Sequence, residues 1–139
     1  MFNEAIICHK VGAYKAAMIL SYLGFMSVLK KRVLNSDPPS SFVLLEWQGD
    51  YQRKLQNDDS WDKDLFDFTQ QENSRGGVSK KIFDISSDLR EQIKYWKNRR
   101  NDCAHSKNQH IEYFHIESFW TFSKRNRKID GQANENKSP

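Results

Sequence analysis

Glycine, proline and cysteine are all scarce in this sequence. Six glycines and three prolines among 139 residues are too few for the many tight turns of a sandwich or barrel of short β-strands. The only two cysteines, Cys8 and Cys103, lack the CxxC spacing of metal-binding or disulfide-rich frameworks, so we expect both to be reduced thiols. These scarcities favour an all-α fold.

A hydrophobic run long enough to cross a membrane is also missing. The most apolar stretch, residues 16–29, has about fourteen residues, whereas roughly 20 are needed to span the hydrocarbon core. Lys30, Lys31 and Arg32 follow it directly, while a secretory signal carries its basic residues before the apolar run. We therefore expect no membrane segment and a cytoplasmic location.

Large aromatic side chains are abundant, and charge is unevenly distributed. Phe, Trp and Tyr make up 13% of the 139 residues, which is typical of a chain with a packed core. The net charge is +4; residues 46–72 are acidic and both flanking segments are basic, which permits a polyanionic partner. We predict one helical domain over residues 1–126 and a disordered polar tail over residues 127–139.

A first long helix is predicted over residues 2–33, which contain no proline. Apolar residues recur on one face at helical spacing: Met18, Tyr22, Phe25, Leu29 and Val33. Ala17 and Leu20 make the other side apolar as well, which indicates burial against several neighbours or against a second subunit. Pro38 and Pro39 prevent the helix from continuing.

Four shorter helices are predicted from the same kind of periodicity. The first two carry Trp47, Tyr51 and Leu55, and then Trp61, Leu65 and Phe68, with Asp59 or Ser60 as a cap between them. The third runs from a cap at Asp84 to about Cys103, and the last covers residues 112–125. The expected fold is therefore a small all-α bundle of four to five helices.

Arg100 occupies an unusual position on the third of these shorter helices. The apolar seam of that helix consists of Ile85, Leu89, Ile93 and Trp96. At about 100° per residue the seam passes close to position 100, whereas position 99 lies further round. A guanidinium there needs a partner or a wet cavity. The alternative is that Arg99 and Arg100 merely complement the negative end of the helix dipole.

The motif Arg100-Asn101-Asp102-Cys103-Ala104-His105 places an arginine, a polar residue and a histidine at the end of this helix. In a small basic helical chain it resembles the HEPN superfamily, whose pattern is an arginine and a histidine separated by four to six residues. The first long helix also looks like the family's first core helix, so the resemblance covers residues 2–125. Arg99 satisfies the spacing too; the seam and Asn101 favour Arg100.

The resemblance implies a homodimer in which both copies of the motif line one cleft and cleave RNA without a metal ion or other cofactor. Arg100, His105 and Asn101 would be the catalytic residues. Histidine exchanges protons near neutral pH, and arginine offers a planar fork of donors to the phosphorane oxygens. The protein would be an endoribonuclease, a toxin or antiphage effector, with an antitoxin or defence protein as a partner.

The alternative function is a HEPN-type module that has lost catalysis and binds RNA or pairs with a nucleotidyltransferase or another effector. Some HEPN toxins carry a modified tyrosine two residues after the histidine, where this chain has Lys107, so that mechanism is not carried over.

Candidate RNA-binding residues on either reading are Arg99, Lys107, Lys124, Arg125, Arg127 and Lys128. Two histidines, His110 and His115, lie near Glu112 and Glu117, but their spacing does not define a metal site.

Overall fold

The structure is a computed structural model that describes residues 2–39, 41–71, 81–105 and 110–126. Six α-helices occur in these ranges: α1 (Phe2–Lys10), α2 (Tyr14–Leu34), α3 (Leu44–Glu46), α4 (Trp61–Gln70), α5 (Ser87–Ala104) and α6 (Tyr113–Arg125). The all-α prediction is confirmed for this part of the chain, which contains more α-helices than the four to five predicted. None of its helices is long and apolar enough to cross a membrane.

The long first helix predicted over residues 2–33 is two helices, because α1 stops at a Schellman motif. Gly12 has a left-handed φ of 81°, a conformation that glycine adopts without steric cost. Its N–H donates to the His9 carbonyl at 3.2 Å, and the Ala13 N–H donates to the Cys8 carbonyl at 2.8 Å. These two bonds satisfy carbonyls that the end of a helix leaves unpaired.

The described residues form two compact units. The first contains residues 2–27, 87–105 and 110–126, and the second contains residues 28–39, 41–71 and 81–86. The single domain predicted over residues 1–126 stays a prediction. The tail predicted over residues 127–139 lies outside the described residues. Every described candidate site residue belongs to the first unit.

Aromatic side chains from α2, α5 and α6 form the core of the first unit. The ring centroid of Phe119 on α6 lies 5.9 Å from that of Phe25 on α2 and 5.2 Å from that of Trp96 on α5. All three side chains are buried, as is Ile93 on α5. Burial of this size contributes about 1.5–3 kcal/mol for each large apolar side chain, so the core fixes the three helices that carry the candidate site.

The second unit replaces a predicted α-helix with less common helical geometry. After α3, residues Trp47–Gln52 form a π-helix and Lys54–Gln56 a 3₁₀ turn. Trp47 is buried and its indole N–H donates to the Ser36 carbonyl at 3.1 Å. The side-chain amide of Gln52 donates to the Val33 carbonyl at 2.9 Å. These bonds tie the π-helix to the end of α2.

Two predicted caps differ from the structure. Ser60 is the N-cap residue of α4, but its side chain makes no capping hydrogen bond. Asp84 does not cap α5, which begins at Ser87. It is instead the middle residue of a γ-turn, in which the Ile85 N–H donates to the Phe83 carbonyl at 3.1 Å.

Candidate active site

Helix α5 ends immediately before His105. Its last residue is Ala104, and the His105 N–H closes the final helical turn by donating to the Asn101 carbonyl at 3.0 Å. The His105 side chain is exposed at this end. The helix end expected between Arg100 and His105 is therefore present, and it leaves the imidazole accessible to a ligand.

The Arg100 side chain is half-buried and lies against α2. Its Cζ is 5.2 Å from the centroid of the Tyr22 ring, and Tyr22 is almost fully buried. Arg100 follows the buried Trp96 by four residues, so the two share one face of α5. Arg100 therefore lies on the side of α5 that faces α2, where a cation–π contact stabilises the guanidinium by about 0.5–2 kcal/mol. Ile85, predicted to belong to the same seam, precedes the helix.

The neighbouring Arg99 is held by its own helix. Its Nη2 lies 3.0 Å from the Oδ2 of Asp102, whose side chain is only 12% exposed. Its Cζ also lies 5.4 Å from the centroid of the Tyr95 ring. Arg99 and Arg100 therefore contact different partners on different helices, and Arg99 balances a nearly buried carboxylate.

The position of the helix end argues against the alternative that Arg99 and Arg100 merely complement the helix dipole. Because α5 extends to Ala104, its last turn contains no basic residue. The dipole acts mainly within the last turn, so Arg99 and Arg100 lie too early to benefit. Their contacts with Asp102 and Tyr22 account for their positions better.

Asn101 and Cys103 complete the motif from within the helix. Asn101 is half-buried, and its main-chain carbonyl, described above, is the acceptor for His105. Cys103 is buried, and this burial raises the pKa of its thiol, which Lys15 on α2 opposes. Lys15 and Arg99 both lower the pKa of the Cys103 thiol and so partly oppose the effect of burial.

The sequence alone did not identify three residues as part of the site. They are Tyr22, Asp102 and Lys15. Tyr22 reads as an ordinary core residue of a helical stripe, and its position under Arg100 depends on how α2 packs against α5. The signal for Asp102 was its i, i+3 spacing from Arg99, which allows an ion pair on one helix face.

Two of the predicted RNA-binding residues lie on the last turn of α6. Lys124 and Arg125 are both exposed there, where the negative end of the helix dipole favours cations. Lys107, Arg127 and Lys128 lie outside the described residues.

The acidic and histidine residues after the motif have structural partners. The His115 Nδ1 accepts the Glu112 N–H at 2.9 Å and so closes a capping box at the start of α6. The His110 Nε2 lies 3.1 Å from the Glu112 Oε1, and the Glu117 Oε1 lies 3.7 Å from the His9 Nε2. Within the described ranges no group of three or more His, Cys, Asp or Glu residues is arranged to hold a metal ion.

His9 belongs to an aromatic cluster. Its ring centroid lies 4.9 Å from that of Trp120 and 5.7 Å from that of Tyr14. It therefore packs half-buried against residues of α2 and α6.

Comparisons with known proteins give no assignment. No protein-family model matches the chain, and neither a curated protein nor a solved structure shows a significant match. Function is therefore inferred from the residues themselves.

Proposed function

We propose that this protein is a HEPN-like, metal-independent endoribonuclease that cleaves RNA by attack of a ribose 2'-hydroxyl. The observation that carries the proposal is the end of α5, which leaves His105 exposed directly after Ala104 and holds Arg100 on the face that contacts Tyr22. A proton carrier therefore lies at the helix end, and a cation lies about one turn before it. The HEPN resemblance of the motif supports the same assignment.

The proposed residues divide the reaction between proton transfer and charge stabilisation. His105 accepts the proton of the 2'-hydroxyl as its oxygen attacks phosphorus, and the bond from phosphorus to the 5'-oxygen breaks. An imidazolium returns a proton to that 5'-oxygen. Arg100 donates hydrogen bonds to the phosphorane oxygens, and Asn101 holds the phosphate or the histidine. The products are a 2',3'-cyclic phosphate and a 5'-hydroxyl.

A homodimer is part of the proposal. Positions five apart on an α-helix point about 140° away from each other, so one copy of α5 directs Arg100 and His105 to different sides. Two copies facing each other supply two arginines and two histidines to one phosphodiester. One chain then contributes the general base, and its partner contributes a group that stabilises charge or donates the proton.

The alternative function is a non-catalytic HEPN-type module that binds RNA or protein. The contacts of the arginines favour this alternative: Arg100 lies over Tyr22, and Arg99 lies beside Asp102. Such contacts account for both residues without catalysis. Cleavage by the purified protein separates the two functions.

The test is an RNA cleavage assay with single variants. Purified protein is incubated with end-labelled single-stranded RNA, and His105→Ala is expected to lower the rate by roughly 10² to 10⁴ because proton transfer is lost. His110→Ala is the matched control, since His110 is exposed and pairs with Glu112; it should cleave as the wild type does. Equal rates for the two variants would refute the role of His105.

The cellular setting follows from the same activity. A ribonuclease toxin or antiphage effector acts on cytoplasmic RNA and is controlled by an antitoxin or another defence protein. Induced expression of the wild type is expected to arrest growth, and the same level of His105→Ala is not. Arrest by both proteins would show that toxicity does not arise from RNA cleavage.

A further inference from the structure

A small cavity opens between α1 and α6. None of its described lining residues belongs to the Arg100 to His105 motif. Its volume is about 230 Å³, and the described residues that line it are Phe2, Ile6, Trp120, Ser123 and Lys124. This is below the roughly 300–1,000 Å³ of pockets that hold drug-sized ligands. A cavity of this size suits a single flat ring system.

Residues of α2 contact both aromatic walls of the cavity. The indole N–H of Trp120 donates to the Ser21 hydroxyl at 2.8 Å. The Phe2 ring lies against α2 at Gly24, where a Cβ atom would come within 3.1 Å of the ring. Only glycine allows this approach without displacing the ring. The Trp120 wall is therefore preorganised, which reduces the entropy lost on binding, and the Phe2 ring, which is 38% exposed, forms the open wall.

The polar lining of the cavity matches a nucleotide. Ser123 is buried and its hydroxyl can donate or accept a hydrogen bond. Lys124 lines the cavity and is exposed, so its ammonium is available for a phosphate. Aromatic rings that stack on a base, together with cations on the backbone, are the usual means by which proteins bind unpaired RNA.

We propose that this cavity holds one unstacked base of single-stranded RNA between Phe2 and Trp120, with the adjoining phosphate on Lys124. This inference rests on the proposed function and adds a base-binding site beside the basic end of α6. A second copy of the chain is a poorer occupant, since stable protein interfaces bury about 800 Å² on each partner. The site anchors the RNA strand outside the cleavage centre.

The first test uses a matched pair of variants at Trp120. Trp120→Phe and Trp120→Leu both remove the hydrogen bond to Ser21, but only phenylalanine keeps an aromatic face. Binding is measured with a 2'-O-methyl oligonucleotide, which retains bases and phosphates and lacks the nucleophile. Leucine is expected to weaken the Kd about 5- to 150-fold, and phenylalanine less than about threefold. Equal affinity for both variants would refute stacking.

The second test fills the cavity without removing either wall. Ile6 is 41% exposed, so Ile6→Trp is compatible with folding, which circular dichroism verifies. The added ring should weaken oligonucleotide binding as much as Trp120→Leu does. Unchanged RNA binding in Ile6→Trp overturns the proposal, and loss of self-association in the same variant would assign the cavity to a second copy of the chain.

Failure of the base site and failure of the proposed function are separable. The wild type is assayed in parallel for cleavage of unmodified RNA. Base-dependent binding without any cleavage would refute the ribonuclease and leave the cavity assignment standing. If the wild type cleaves RNA and the cavity variants bind RNA as tightly as the wild type does, only the cavity assignment is refuted.

Discussion

The Arg100 guanidinium lies over the buried ring of Tyr22, with 5.2 Å between its Cζ and the ring centroid. Arg99, one residue earlier, is paired with Asp102 at 3.0 Å. The two arginines, which satisfy the same motif spacing, thus have different surroundings. Arg100 points toward α2, and Arg99 is paired with a carboxylate on its own helix.

This difference predicts separate effects for the two arginines. Arg100→Ala is expected to lower the cleavage rate by roughly 10² to 10³, the usual effect of losing one donor to transition-state charge. Arg100→Lys should restore little, because an ammonium lacks the planar fork. Arg99→Ala should mainly weaken RNA binding and lower stability, since Asp102 loses its partner. Single-turnover kinetics and thermal melts measure the two effects, and equal rates for Arg99→Ala and Arg100→Ala would contradict the assignment.

The basic cluster at the end of α6 is predicted to act on binding and not on the chemical step. It consists of Lys124 and Arg125, which are described and exposed, with Arg127 and Lys128 after them. Replacing all four by serine should weaken RNA binding uniformly across sequences and flatten the salt dependence by roughly 0.7 per neutralised phosphate. The rate at saturating RNA should change little. An unchanged salt slope would make the cluster an ordinary solvated helix end.

Cys103 gives a prediction for stability against pH. Burial raises the pKa of its thiol above the ordinary value of 9.0, so the folded chain favours the protonated form. The stability from this group is complete below that value and is lost as pH rises through the folded pKa, by at most about 1.4 kcal/mol per pH unit. Urea unfolding between pH 8 and 11 should show this loss in the wild type.

The matched variants are Cys103→Ala and Cys8→Ala. The first should remove this component of the alkaline loss even though its cavity lowers stability overall. The second should retain it, because Cys8 is half-exposed on α1. Parallel pH profiles for wild type and Cys103→Ala would show that the thiol is not the group responsible.

The proposed homodimer is testable through the exposed apolar residues of α1. Ile7 on α1 is 61% exposed and Val11, which follows the helix end at Lys10, is 74% exposed. A second copy that covered them would remove this apolar surface from water. Ile7→Glu is therefore expected to dissociate the dimer and abolish cleavage together. Lys10→Gln on the same helix, which also lowers the net charge by one, is the charge-matched control. Sedimentation that shows a wild-type monomer with full activity at micromolar concentration would contradict the dimer.

The apolar periodicity of the sequence was sufficient to predict the helices that are regular along their length. Helices α4 and α6 lie where repeating apolar residues place them, and the stripe from Met18 to Val33 is buried as predicted. Helix α5 ends one residue after the predicted limit at Cys103. These elements depend on local spacing alone, which a single sequence records.

The elements that differ depend on geometry that spacing does not encode. A repeat of every four residues fits both an α-helix and the π-helix of Trp47–Gln52. Gly12 was visible in the sequence, but only its positive φ shows that it ends α1. In the candidate site, the partners Tyr22 and Asp102 required knowledge of helix packing and of side-chain direction.

The most direct test of the ribonuclease is cleavage of labelled RNA in excess EDTA, with the product ends identified. We expect full cleavage, 2',3'-cyclic phosphate or 3'-phosphate ends with 5'-hydroxyls, and resistance of RNA that carries a 2'-O-methyl group at the scissile nucleotide. These results follow if the 2'-hydroxyl is the nucleophile and His105 moves its proton. Cleavage that vanishes in EDTA and returns with Mg²⁺, or products with 5'-phosphates, would contradict the mechanism.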